Sequence, residues 1–151
     1  KSSRFANERA KNNVDLMPPR NKEYQNTKLE ESAKLIEVYG SLEEFYNQTT
    51  IDCFAVGSKS IFVSARGLLF PCSWIGSLYE DRTTEAFKQV EALYGNFKRV
   101  DLNTTTLEDV FESGIFDQIS KRWSCKSIAA GKLKTCSMVC SKEHNLFKAQ
   151  F

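Results

Sequence analysis

Five cysteines, at positions 53, 72, 125, 136 and 140, constrain this chain more than any other feature. An odd count does not close into a disulfide framework. With 151 residues the chain can bury a core without such staples. Thiols left reduced point to a reducing, cytoplasmic compartment, where grouped thiols most often mean a bound metal. The spacing supports that reading. Cys53 precedes Gly67, and Cys72 follows it after four residues. The segment 51–76 alternates β-branched and aromatic residues around Ser60 to Ser64 and Leu68 to Phe70, with Ala65-Arg66-Gly67 between, which predicts a β-hairpin. Gly67 is the residue free to take a positive φ in its turn. Cys53 is expected to enter the hairpin and Cys72 to leave it; antiparallel strands lie about 5 Å apart, so residues at the hairpin's open end can share one metal site. Pro71 stiffens the backbone just before Cys72.

The second group lies far downstream. Cys136 and Cys140 stand four apart, so a helical turn faces both thiols the same way. Lys132, Lys134 and Lys142 are neighbours in sequence, and positive charge there is expected to favour thiolates. Three readings compete. The thiols can be small hydrophobes of an ordinary core. They can form a structural four-cysteine zinc site in a non-catalytic interaction module, although such sites use tight Cys knuckles in pairs and one pair is present here. They can hold an iron–sulfur cluster. Cys125 stands alone after a helix ending in Trp123 and is either a core thiol or an alternative metal ligand. Cys136-x3-Cys140 is followed by Glu143, where a third cysteine would complete Cys-x3-Cys-x2-Cys. That triad holds the catalytic cluster of enzymes that cleave S-adenosylmethionine, and its absence rules this pair out for that role.

The remaining elements read as short. Pro18-Pro19 interrupts the polar segment 1–27, with a strand expected near Asn13 to Leu16. Residues 28–39 form a helix with Leu29, Ala33 and Ile36 on one face, ended by Gly40. Ser41 and Glu44 make a capping-box pattern, as do Thr106 and Asp109. Residues 83–96 predict a helix capped by Thr83 or Thr84, with Ala86, Phe87, Val90 and Leu93 or Tyr94 buried. A strand is expected over Phe97 to Leu102, then a helix from Ile115 to Trp123 burying Phe116, Ile119 and Trp123. The class predicted is α+β: a small β-hairpin flanked by several short helices.

A net charge of +2 with basic residues dispersed gives no nucleic-acid footprint. No apolar run approaches membrane-spanning length. The opening KSSRFANERAKNN has no signal-peptide core, and a chain starting at Lys1 reads as part of a longer one.

The pattern Cys53-x13-Gly67-x4-Cys72 followed by Cys136-x3-Cys140 resembles the twitch domain of radical S-adenosylmethionine (radical SAM) enzymes, the shorter relative of the SPASM domain. The segments IFVSARGLLFPCSWIG, TTTLEDVFESGIFDQISKRW and GKLKTCSMVC carry the likeness, over roughly residues 50–141. The resemblance implies one auxiliary 4Fe–4S cluster, ligated by Cys53, Cys72, Cys136 and Cys140. Five cysteines are too few for the two clusters of a SPASM domain. It implies residues 1–49 as linker and helical lead-in from a missing radical SAM barrel, and 50–151 as the cluster domain. That barrel would be the partner and would bind S-adenosylmethionine; the substrate would be a peptide or small molecule. The catalytic motif is absent from this chain, so radical generation is not assigned to it.

Of the other candidates, His144 reads as a solvated histidine, and with no second histidine no hydrolytic constellation forms. The neighbours Glu30-Glu31 and Glu43-Glu44 point apart on helices and read as solvated faces. Arg4-Phe5 corresponds to the barrel exit in the resemblance, or packs. Trp74 is expected to shield the cluster from water.

Overall fold

A computed structural model describes residues 3–5, 14–16, 19–24 and 28–143; His144 and Pro18 fall outside them. The chain divides into two compact units, Lys1–Lys34 and Leu35–Phe151. In the first, strands β1 (Ser3–Phe5) and β2 (Val14–Leu16) pair antiparallel, Arg4 opposite Asp15. A 3-10 turn follows at Lys22–Tyr24, with the Glu23 amide donating to Asn21 Oδ1 at 3.1 Å. Helix α1 (Lys28–Tyr39) crosses into the second unit.

The expected apolar face of α1 is not a buried one: Ile36 is 45% exposed. Its neighbour Leu35 is half-buried instead, and Tyr39 packs edge-on against Phe45 with centroids 5.1 Å apart. Gly40 ends the helix at φ 81°. Helix α2 (Leu42–Gln48) starts at Ser41, whose Oγ accepts the Glu44 amide at 3.0 Å. Only half the capping box forms, because the Glu44 carboxylate accepts from Asn47 and Gln48 instead.

The hairpin forms as expected but is shorter. Strands β3 (Phe62–Val63) and β4 (Leu69–Phe70) pair antiparallel, Phe62 with Phe70 and Val63 with Leu69. Gly67 sits in the turn at φ 79°, and a Cβ there would meet Asn103 Nδ2 at 2.5 Å. That amide donates to the Arg66 carbonyl at 2.9 Å, so glycine is required both by the backbone and by the close approach of Asn103. The stretch before β3 is not extended: residues Phe54–Gly57 form a helical turn, α3, and Ser73–Ser77 form α4 directly after β4.

Helix α5 (Glu85–Tyr94) is capped by Thr84 and buries Phe87, Val90 and Tyr94. The strand expected at Phe97 to Leu102 is absent. Phe97 takes a left-handed φ of 61°, and Lys98–Val100 coil into a 3-10 turn, leaving one antiparallel bridge, Leu68 to Asp101. The Phe97 ring stacks on Tyr94 and Phe87, and this packing fixes a backbone conformation that costs a non-glycine residue energy. Helix α6 (Leu107–Glu112) carries the full Thr106–Asp109 capping box. Helix α7 (Ile115–Arg122) buries Ile115 and Ile119, and α8 (Lys134–Val139) closes the unit. The core runs from Leu69 and Phe70 of the hairpin through Ile75, Val100, Val110 and Ile115 to Leu133 and Cys136. The architecture is thus mixed: many short helices and small two-stranded antiparallel sheets. Among the described residues no helix is long and apolar enough to cross a membrane.

Candidate metal centre

The two cysteine groups meet because the segment before Cys53 pairs with the segment after Cys136. Ile51 bridges Ser141 antiparallel. The Asp52 amide donates to the Cys140 carbonyl at 2.7 Å, and the Lys142 amide to the Thr50 carbonyl at 3.0 Å. Glu143 accepts the Thr50 amide at 2.9 Å, so the residue standing in place of a third cysteine is a tether. Ordinary backbone pairing between distant segments thereby brings Cys53 beside Cys140.

Both hairpin-side cysteines lie outside the strands, at helix starts. Cys53 is the N-cap residue of α3 and Cys72 that of α4. Their sulfurs make no regular capping hydrogen bond. The amides of Ala55 and Val56 nevertheless act on Cys53, and those of Trp74 and Ile75 on Cys72, in the sense that favours thiolate. Cys136 and Cys140 lie one turn apart, the Cys140 amide donating to the Cys136 carbonyl at 2.9 Å.

The thiols share their protons unequally. Cys53 is held well below the usual thiol range, first because it accepts the Cys140 thiol hydrogen bond, and then through the two amides, against partial burial and Asp52. Cys140 is driven up by donating that same bond, by burial and by the charge on Cys53. Cys72 is raised by burial, with Cys53 adding to it. Burial pushes Cys136 up to about 12, reinforced by Cys72 and Cys53 and opposed by the Trp123 indole. Each of the four thus feels at least one other. They nonetheless form a hydrogen-bonded pair with two neighbours: among the described residues no three His, Cys, Asp or Glu side chains stand ready-grouped to hold a metal ion. The donor chemistry fits a four-thiolate centre, while a finished ligand sphere is not in place.

Cys125 is half-buried and lines a shallow hollow of about 280 Å³ with Leu93, Gln118, Lys121 and Arg122. Its electrostatic influence reaches Lys132. The lysines do not serve the thiolates as expected. Lys132 is 3% exposed, under a thin cover of protein, and its ammonium donates to the Asn47 carbonyl at 2.8 Å and to the Thr49 carbonyl. It closes the C-terminal end of α2. Lys134 lies 3.8 Å from Glu43, and Lys142 is exposed. Burial lowers the Lys132 pKa, with Glu143 and Cys125 opposing.

Trp74 is 39% exposed, and the Trp123 indole acts on the Cys136 thiol. The sequence placed Trp123 correctly on the inward face of its helix but gave no sign of its sulfur neighbour. Tyr94, likewise read as packing, lies within the electrostatic reach of both Cys72 and Cys136. No known family, curated protein or solved structure matches this chain.

Proposed function

We propose that this chain is an auxiliary domain binding a 4Fe–4S cluster, the C-terminal part of a radical SAM enzyme, serving electron transfer or substrate positioning. The observation that supports it most is the antiparallel pairing of residues 50–52 with 140–142, which sets Cys53 beside Cys140 and joins the two halves of the cysteine pattern. Cys53, Cys72, Cys136 and Cys140 would be the ligands. A cluster closed by four thiolates supplies one-electron transfer and keeps no iron open to substrate. The chain's own residues supply the rest. The first-turn amides of α3 and α4 favour ionised sulfur at Cys53 and Cys72. The pairing of 50–52 with 140–142 holds the two groups in register. Phe54 and Val56, beside Cys53, are 78% and 66% exposed and offer apolar surface for an upstream barrel to cover. S-adenosylmethionine would be bound by that barrel.

Anaerobic reconstitution with ferrous iron and sulfide tests the proposal. The expected product is brown protein with about four irons and four sulfides per chain. A colourless chain that takes up one zinc would establish the four-cysteine zinc module instead, and a chain that takes up neither metal would leave the cysteines as core thiols.

A further inference from the structure

Three buried polar atoms have no hydrogen-bond partner among the described residues: the Tyr94 hydroxyl, Trp123 Nε1 and Ser137 Oγ. Leaving a buried donor unpaired forfeits its hydration without a replacement bond, so native folds keep few of them. These three are not scattered. Tyr94, 3% exposed, and Cys136 belong to the same buried core, and Cys72 and Trp123 pack against it. Ser137, fully buried, directly follows Cys136. Two of the unpaired donors, on Tyr94 and Trp123, thus share one apolar core region with Cys72 and Cys136.

Resting on the cluster reading above, we propose that the Trp123 indole N–H and the Tyr94 hydroxyl are hydrogen-bond donors to sulfur at the Cys72–Cys136 side of the centre, and that they set its reduction potential. Neither is a ligand. A donor aimed at sulfur stabilises the negative charge added on reduction more than it stabilises the oxidised state, and so raises the potential. Two sequence-distant donors on one side of the centre would bias it toward the reduced form.

The experiment compares Trp123→Phe and Tyr94→Phe with the wild-type chain, each reconstituted anaerobically. Iron and sulfide content is measured first, then the midpoint potential by dithionite titration followed by electron paramagnetic resonance. Tyr94→Phe removes one oxygen and leaves the ring packing intact, so it stays informative if the tryptophan variant folds poorly. The expected result is wild-type iron content with a lower midpoint potential in each variant. In parallel, chains loaded with Co²⁺ should show the sulfur-to-cobalt charge-transfer band at longer wavelength in the variants, because a thiolate freed of its donor gives up electron density more easily. Unchanged potentials and bands at full loading overturn the donor assignment alone. A wild-type chain that takes up neither iron with sulfide nor cobalt overturns the cluster reading and this assignment together.

Discussion

Replacing Lys132 with methionine tests how the C-terminal cysteines are held. Methionine keeps the length and apolar stem of lysine and removes the ammonium. Two hydrogen bonds disappear, to the carbonyls of Asn47 and Thr49. Bonds to a charged donor contribute about 1.5–3 kcal/mol each as mutational losses, and part of that is regained because the ammonium no longer has to be desolvated. Thr49 is 4% exposed, so water cannot readily replace the lost donor at its carbonyl. The net loss is about 2–3 kcal/mol. With a urea m-value of about 1–3 kcal/mol/M for a domain of this size, the midpoint should fall by roughly 1–2 M. The substitution also detaches the loop leading into α8 from the end of α2, so iron uptake should drop along with stability. The measurement is equilibrium urea unfolding followed by circular dichroism, with m held in view. A midpoint within about 0.3 M of wild type at unchanged m would show that Lys132 is an incidental burial, and that α8 is positioned without it.

Other outcomes follow from the same structure. Gly76→Ala places a Cβ 2.6 Å from the Phe62 ring and 3.2 Å from Phe70. Phe62 can swing outward but Phe70 is fully buried, so a loss of about 1–3 kcal/mol is expected by thermal melting. Thr106→Ala removes the α6 cap and should cost about 1 kcal/mol. It should also change the acid limb. The Thr106 hydroxyl and amide hold the Asp109 pKa below its ordinary 3.8. Asp109 therefore contributes stability that is full above that ordinary value and lost as pH falls through the lower folded one. In the Thr106→Ala chain this part of the decline should flatten, as read from urea midpoints across that range. Cys125→Ser should leave reconstituted iron at wild-type level, whereas Cys53→Ser or Cys136→Ser should lower it. Equal iron loss in all three would make Cys125 a ligand.

Local signals in the chain were sufficient for many elements. Ser41, the Thr83-Thr84 pair and Thr106 mark three helix starts, Thr84 being the cap of the second, because capping is settled within four residues. Gly67 marked the hairpin turn because few other residues accept its backbone angles. The Phe97 to Leu102 strand was misread because its residues suit a strand, while stacking of the Phe97 ring on partners in α5 coils the backbone instead. The helical turn after Cys53 is unmarked for a related reason: Phe54–Gly57 is too short a helix to leave a periodic signature.

For the candidate site, the sequence by itself determined how many thiols are available and where along the chain they stand. The tertiary structure alone decided which thiols meet. Cys53 reaches Cys140 through backbone pairing of 50–52 with 140–142, and backbone hydrogen bonds carry almost no side-chain signature. It also decided that Lys132 serves the end of α2 rather than the sulfurs, and that Tyr94 and Trp123 share a core with Cys72 and Cys136. Such contacts depend on which surfaces are brought together in space. Tyr94 ends α5, Trp123 caps α7 and Cys136 lies in α8, and no local pattern encodes how those three helices pack.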